Sequence, residues 1–392
     1  MKSVHLVIPD LFLPKDIAAE VCADLRLPAL EKLLGRGALT KPLVLSGVEG
    51  SGPSTGSGPS TAPARGTPVG APPLSGDPVA GSGRTGEGGC LENHLCELFG
   101  VSCAAEAPIA PVSAAFDGLA AGCWLRADPV HLRLQRDQML LLPNREISAD
   151  EAGQLCASLN LHFAGQGMEF FAPHPQRWYV RLDTLPCIHT RHLSQVIGAD
   201  VRGALPTGAD AAHWHQVFNE AQMLLFAHPL NESREERGAL TVNSLWFWGG
   251  GLAVPPLNKN FDCISSDEVL VEMFSAAAGI PFVAWQEQWN DPLSLTLSQR
   301  ERGYSSEDRQ LLVWTGLRTA LHGGDLAAWR AALQDFESGC ARPLWQALRT
   351  GKIARLQLDI LSRDGDRRVT LTRGDAWSFW RRARRLAGYS MV

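Results

Sequence analysis

The sequence predicts an α/β fold, because apolar strands alternate with amphipathic helices along most of its length. The first apolar run, Val4 to Ile8, is nearly continuous, as is typical of a parallel strand that is covered on both faces. The next helix begins near Pro28 and ends at Gly35 or Gly37, which completes a βα unit. With 392 residues, 45% of them hydrophobic, the chain is long enough for two domains.

Two later regions add to this plan. A smaller α/β region is indicated by short apolar strands around a helix that Ser148 and Glu151 cap, and it ends with a helix over residues 210–228. Near the C-terminus, apolar residues alternate with polar ones on both sides of the turn at Asp364 to Asp366. This alternation predicts a C-terminal β-hairpin.

Residues 41–89 have a different composition from the rest of the chain. Roughly two-thirds of them are Gly, Pro, Ser or Thr, and none is aromatic. Such a segment cannot bury enough apolar surface to fold by itself. We therefore expect a disordered low-complexity insertion between the first βα unit and the remaining core.

Charge and cysteine content exclude several classes of function. A formal net charge of −5 gives no electrostatic reason to expect binding to nucleic acid or to an anionic membrane. The apolar run at Val4 to Ile8 is too short for a signal peptide or a membrane span, so we expect a cytoplasmic protein. Nine cysteines without a Cys-x-x-Cys pair indicate reduced thiols.

One stretch, Phe226 to Gly251, combines polar side chains with a buried strand. We expect a helix to end at Pro229, a polar loop to follow, a strand to run from Ser244 to Trp248, and a glycine turn to present backbone amides. The polar side chains that could bind an anion there are His228, Asn231, Arg234 and Asn243. An ordinary crossover loop is the alternative.

These residues resemble a motif of the archaeal-type cofactor-independent phosphoglycerate mutases, within the alkaline phosphatase superfamily. Members of the family carry His-Pro-x-Asn-x-x-Arg-x-x-x-Gly, then an Asn and an apolar strand that ends in Arg-Gly-x-Gly. Four further segments resemble the family in the right order: VIPDLF, LPALEKLLGRG, HLCELFG and CWLRADPVHL.

The resemblance implies an alkaline-phosphatase-like core with a mostly parallel sheet flanked by helices. Residues 1–106 and 229–392 would form this core, and residues 107–228 an inserted α/β subdomain that closes over the substrate. In active members two divalent metal ions, manganese or zinc, activate a Ser or Thr nucleophile and stabilise the transferring phosphoryl group.

The sequence departs from the family pattern mainly at the metal ligands and the nucleophile. Asp10 matches the first metal aspartate, and His322 can stand for a metal histidine, but Leu317 or Arg318 occupies an aspartate position. Cys90 falls where the nucleophile should lie. A further departure is Trp248, which replaces the arginine at the end of the central strand.

Two hypotheses follow. In one, the chain is an active metal-dependent phosphoglycerate mutase or phosphatase that uses two metal ions. In the other, which we favour because so many anionic ligands are missing, it binds no metal and has a regulatory or anion-binding role. Its partner would be a phosphorylated small molecule or a protein. Arg126, beside Asp128, could contact an anionic substrate or form a surface ion pair.

Overall fold

The structure is a computed structural model that describes residues 2–40, 90–101, 106–144, 146–286, 308–362, 365–378, 380–381 and 383–390. The insertion expected at residues 41–89 lies outside these ranges. Within them, none of the helices has both the length and the apolar composition that a bilayer crossing requires.

The strands of the described residues belong to two sheets. In chain order they are β1 (Ser3–Pro9), β2 (Ala38–Thr40), β3 (Cys123–Gln135), β4 (Gln138–Pro143), β5 (Met168–His174), β6 (Arg177–Leu182), β7 (Ser244–Gly251), β8 (Cys263–Ser266), β9 (Phe282–Ala284), β10 (Arg309–Val313), β11 (Arg355–Leu361) and β12 (Arg367–Thr372).

Helices connect these strands and cover both faces of the larger sheet. They are α1 (Lys15–Val21), α2 (Pro28–Arg36), α3 (Leu91–Leu98), α4 (Ile109–Phe116), α5 (Ala149–His162), α6 (Leu193–Val196), α7 (Ala211–Phe226), α8 (Pro229–Glu236), α9 (Val269–Ala278), α10 (Arg318–His322), α11 (Leu326–Phe336), α12 (Arg342–Thr350), α13 (Arg373–Ala376) and α14 (Ala387–Ser390).

The larger sheet has the strand order β2-β12-β11-β1-β10-β8-β9. The contacts of β1 with β10 and β11, and those of β8 with β9 and β10, are all parallel. Leu6 and Ile8 of β1 pack on one face of the sheet, together with α2, α11 and α12, whereas Val7 packs on the other face. The prediction of a strand that is covered on both faces is therefore confirmed.

The predicted C-terminal hairpin is present as β11 and β12, which pair antiparallel. It is part of the larger sheet, because β11 also runs parallel to β1 over residues 355–361. Strand β12 in turn pairs antiparallel with β2, so the hairpin closes one edge of the sheet.

The second sheet is antiparallel, and β3 is its longest strand. Its order is β4-β3-β6-β5, with β7 also paired to β3. We predicted β7 as a strand of the core that begins at residue 229, but it hydrogen-bonds to β3 from Trp124 to Val130. The second sheet thus includes a strand well beyond residue 228, the residue at which we predicted that the inserted subdomain ends. An apolar run shows that a strand is buried, but not which strand it pairs with.

Candidate functional site

Helix α8 occupies the segment that the sequence assigned to a polar loop. Pro229 begins this helix instead of only ending the previous one, because proline is well suited to the first helical position. His228 caps it, since its Nδ1 accepts the Leu230 backbone N–H at 3.2 Å. The His228 Nε2 atom lies 3.0 Å from the Ser158 hydroxyl oxygen on α5.

Asn231 joins α8 to the segment that leads into β7. Its Nδ2 donates to the carbonyl oxygens of Leu225 and Val242, at 2.6 Å and 2.9 Å, and its Oδ1 accepts the Val242 N–H at 2.9 Å. Asn243 makes a similar pair of bonds across the second sheet, to the backbone N–H and carbonyl of Leu132. Both amides satisfy backbone groups that would otherwise be buried without partners.

Arg234 is fully buried and bonds only to the protein interior. Its Nη1 donates to Glu151 Oε2 at 2.7 Å, and its Nη2 donates to the side-chain oxygen of Asn144 at 3.1 Å and to the Glu146 carbonyl at 2.9 Å. Its Nε donates to the Leu240 carbonyl at 2.8 Å. The anion-binding role expected for Arg234 has no support in these contacts, which connect α8 to α5.

Arg126 lies inside β3, not after a strand as the sequence suggested, and it is buried. Its Nε and Nη2 donate to Asp128 Oδ1 at 3.1 Å and 2.6 Å. The guanidinium lies between the rings of Tyr179 and Trp248, and the indole N–H of Trp248 donates to Asp128 Oδ2 at 2.7 Å. The Arg126 charge is therefore neutralised within the second sheet.

The glycines at the end of β7 also contact other residues of the protein. Gly249 has a φ of +69°, and its N–H donates to the Glu106 carboxylate at 2.6 Å. A side chain at Gly251 would lie within 3.0 Å of Pro108 and Pro111. We expected a flexible turn with amides open to a ligand, but these residues extend the strand and pack against α4.

Charged side chains gather instead at the carboxyl edge of the larger sheet, where open α/β sheets build their sites. Asp10 follows β1, Arg318 begins α10 just after β10, and Glu268 follows β8. Glu92, in the first turn of α3, completes the group and is buried. We call these four residues the edge cluster.

Arg318 is the cation of the edge cluster. Its Nε donates to Asp10 Oδ2 at 3.3 Å, and the two side chains are 14% and 18% exposed. Burial alone would lower the pKa of Arg318, but the charges of Glu92, Asp10 and Glu268 raise it. The guanidinium therefore stays charged and balances carboxylates that have little water to solvate them.

Cys90, which the sequence placed at the nucleophile position, precedes α3 next to the edge cluster. Its thiol is buried and donates to Glu92 Oε2 at 3.1 Å. Burial and the negative charge of Glu92 raise the pKa of the Cys90 thiol well above its usual range. The thiolate, which is the nucleophilic form, is therefore strongly disfavoured.

We expect iodoacetamide at pH 8 to modify Cys187, which is exposed, and to leave Cys90 unmodified in the folded protein. Peptide mapping by mass spectrometry, before and after unfolding in urea, measures both sites in one sample. Modification of Cys90 in the folded protein at a rate comparable with that of Cys187 would contradict the buried, protonated thiol.

His322 lies at the end of α10, one helical turn beyond Arg318, and is half-buried. The structure thus brings Asp10 and Cys90 close to Arg318, and places His322 on the same short helix. The other predicted residues lie elsewhere. Arg126 and Asn243 form hydrogen bonds within the second sheet. Asn231 and Arg234 connect α8 to the segments that pack against it.

A second polar cluster, which the sequence analysis missed, lies between α3 and the larger sheet. It consists of His5 in β1, His94 in α3, and Asp359 in β11, with one ligand atom of each within 4.8 Å of the others. Arg368 of β12 donates to both oxygens of Asp359, each at 2.7 Å. Charged or polar residues inside the apolar strands, at positions 5 and 359, were the available signal.

Burial dominates the electrostatics of this histidine cluster. It lowers the pKa of His5 despite the neighbouring carboxylate of Asp359. Burial alone would raise the pKa of Asp359, but hydrogen bonds from Arg368 and His5 hold it well below its usual range. Neutral imidazole and ionised carboxylate are the forms that bind metal ions.

Comparison with known proteins gives partial matches. No family model matches the sequence. The 2,3-bisphosphoglycerate-independent phosphoglycerate mutase of Methanosarcina mazei is 27% identical over 109 residues, which are 27% of this chain and 28% of the relative. A probable 2,3-bisphosphoglycerate-independent phosphoglycerate mutase of Geobacter sulfurreducens is 24% identical over 161 residues, 38% of this chain and 39% of the relative. The matched segments thus span less than half the length of these relatives.

Among solved structures, the PH0037 protein from Pyrococcus horikoshii resembles this fold with a TM-score of 0.52. The two share 13% sequence identity, and the superposition covers 99% of this chain and 92% of that chain. At this identity the likeness concerns the fold alone. The predicted α/β fold, with a mostly parallel sheet between helices and a second, smaller sheet, is confirmed.

Proposed function

We propose that this divergent chain, which is similar to archaeal-type cofactor-independent phosphoglycerate mutases, has lost two-metal phosphoryl transfer and acts as a regulatory or anion-binding protein. One observation carries the proposal. Arg318, which stands at or next to an expected metal-ligand position, donates to Asp10, the residue that matches the first metal aspartate.

A guanidinium and a metal ion have different chemical capacities. Both neutralise carboxylates, but only a metal ion is a Lewis acid that can lower the pKa of a bound nucleophile. A site for two dications needs several anionic ligands, and a permanent positive charge among them raises the cost of binding each ion. Arg318 is always protonated in a protein, so this cost applies at every physiological pH.

The state of Cys90 supports the same conclusion. A nucleophile must be activated by a lowered pKa, by a base or by a metal ion. The Cys90 thiol has a raised pKa, and the group that accepts its hydrogen bond, Glu92, is itself balanced by Arg318. These properties of Cys90 and Glu92 support a structural role for the edge cluster, with Arg318 as its cation.

The proposal is tested by a mutase assay on the purified full chain, with 3-phosphoglycerate as substrate and Mn²⁺ or Zn²⁺ added. We expect turnover no higher than that of the Asp10→Ala variant, with or without metal. Asp10→Ala is the appropriate control because it removes the carboxylate that an active site would need. Turnover that depends on metal and disappears in Asp10→Ala would overturn the proposal.

The alternative, an active metal-dependent phosphoglycerate mutase or phosphatase, has one observation in its favour. The edge cluster contains three carboxylates, on Asp10, Glu92 and Glu268, for the one guanidinium of Arg318. Two Mn²⁺ ions retained per chain after gel filtration, and lost together in Asp10→Ala, would support this alternative.

For the binding role, we propose a phosphorylated small molecule or a protein as the partner. If the ligand is a phosphorylated small molecule, 3-phosphoglycerate should raise the melting temperature of the protein. Sodium sulfate at the same ionic strength is the control for general salt effects. Equal shifts with the two salts would leave a protein partner as the remaining form of the proposal.

A further inference from the structure

We propose that His5, His94 and Asp359 form a zinc site that is separate from the edge cluster and that stabilises the fold. The three residues come from β1, α3 and β11, so one ion would fix a helix to two neighbouring strands of the larger sheet. None of them belongs to the ligand positions that the family resemblance implies.

The distances within the cluster are those of groups that converge on one point. His5 Nε2 lies 2.7 Å from Asp359 Oδ2, and His94 Nε2 lies 3.1 Å from the same oxygen. Zinc binds imidazole nitrogen and carboxylate oxygen at about 2.0–2.2 Å. Side-chain rotations that open these contacts slightly would therefore place all three atoms around one ion.

The strongest support for a cation site comes from His94. This residue is only 3% exposed, and its Nε2 has no hydrogen-bond partner with suitable geometry, although it lies beside Asp359. An unpartnered polar atom at this depth destabilises the folded protein. A zinc ion would accept the Nε2 lone pair and remove that destabilisation.

Neighbouring groups are arranged as outer partners of such a site. The Glu97 carboxylate lies 3.8 Å from His94 Nδ1, a position that favours the proton on Nδ1 and leaves the lone pair on Nε2. Arg368 donates to both Asp359 oxygens, so zinc binding at Oδ2 would displace its Nη2 contact and leave its Nε contact with Oδ1. Carboxylates that bind metals are commonly held by such second hydrogen bonds.

The ligand set favours zinc over magnesium or calcium. Two imidazoles and one carboxylate suit zinc, whereas magnesium and calcium prefer oxygen ligands. His5 is the most exposed of the three, with 12% of its side chain accessible, so the ion would enter from its side. The Gln357 amide lies 3.1 Å from His5 Nε2, next to the proposed ion.

The test uses the full chain, stripped with a chelator and titrated with Co²⁺ as a spectroscopic substitute for Zn²⁺. We expect one ion per chain, a visible absorption band typical of tetrahedral Co²⁺, and displacement of Co²⁺ by Zn²⁺. His94→Ala and Asp359→Asn should abolish the band. His162→Ala, at an exposed histidine paired with Glu220, should retain it. Asp10→Ala should also retain it, which separates this site from the edge cluster.

A second measurement covers variants that fail to fold. In the wild-type protein, Zn²⁺ should protect His5 from modification by diethyl pyrocarbonate and raise the melting temperature. The proposal is overturned if the stripped protein binds no Zn²⁺ or Co²⁺. It is equally overturned if binding is unchanged in a folded His94→Ala variant, or if His5 is modified equally with and without Zn²⁺.

Discussion

Arg234→Ala is expected to lower the free energy of unfolding by about 3–5 kcal/mol, because it removes the buried cation that donates to Glu151 Oε2 and Asn144 Oδ1. Arg234→Lys should recover little of this loss. A single ammonium group cannot reproduce the fork of donors that reaches Glu151, Asn144, Glu146 and Leu240. Urea denaturation followed by circular dichroism gives both values.

Arg237 provides a matched control for that measurement. It contacts the same carboxylate, Glu151, but its side chain is 51% exposed. We expect Arg237→Ala to cost less than about 1 kcal/mol, as is usual for exposed ion pairs. Similar losses in Arg234→Ala and Arg237→Ala would show that burial of Arg234 does not determine its contribution.

Arg318→Ala is expected to destabilise the protein by about 2–4 kcal/mol and to create a response to Mg²⁺. The substitution leaves the carboxylates of Asp10, Glu92 and Glu268 near one another without a counter-charge. Mg²⁺ prefers carboxylate oxygens and should therefore raise the melting temperature of the variant while leaving that of the wild type unchanged. Thermal denaturation monitored by fluorescence, with and without Mg²⁺, measures both effects.

The double variant Asp10→Ala/Arg318→Ala tests whether these two residues act together. We expect its loss of stability to be smaller than the sum of the two single losses, because both substitutions remove the same contact between Asp10 and Arg318. Mg²⁺ should stabilise it less than it stabilises Arg318→Ala. Equal responses to Mg²⁺ in the wild type and in Arg318→Ala would show that Arg318 does not exclude metal from the edge cluster.

Local patterns in the sequence were sufficient to predict much of the fold. The apolar run of β1, the capping box of Ser148 with Glu151, and the pairing of β11 with β12 each depend on neighbours in sequence, and each is present. The partner of β7 depends on residues more than one hundred positions away, at β3. No local pattern specifies such a pairing, and a fully apolar strand fits either sheet.

The candidate site was harder to predict, because the sequence does not show which polar side chains are buried. Asn231 and Arg234 are residue types that often bind anions. In the structure, however, their side chains form hydrogen bonds that join α8 to neighbouring segments of the protein. Asp10 was identified from the end of β1, but its contact with Arg318 joins residues 308 positions apart. His5 escaped notice because it is a single ring within an apolar run, and Asp359 because it is one of several polar residues that alternate with apolar ones in β11.

The path of the chain between the two sheets has an evolutionary consequence. Glu106, where the chain leaves the larger sheet, accepts the N–H of Gly249, close to where it returns. Pro108 and Gly251 are likewise in contact. The chain thus leaves the larger sheet and returns to it at the same place. Insertions or replacements in the residues between these two points therefore do not change how the strands of the larger sheet pair.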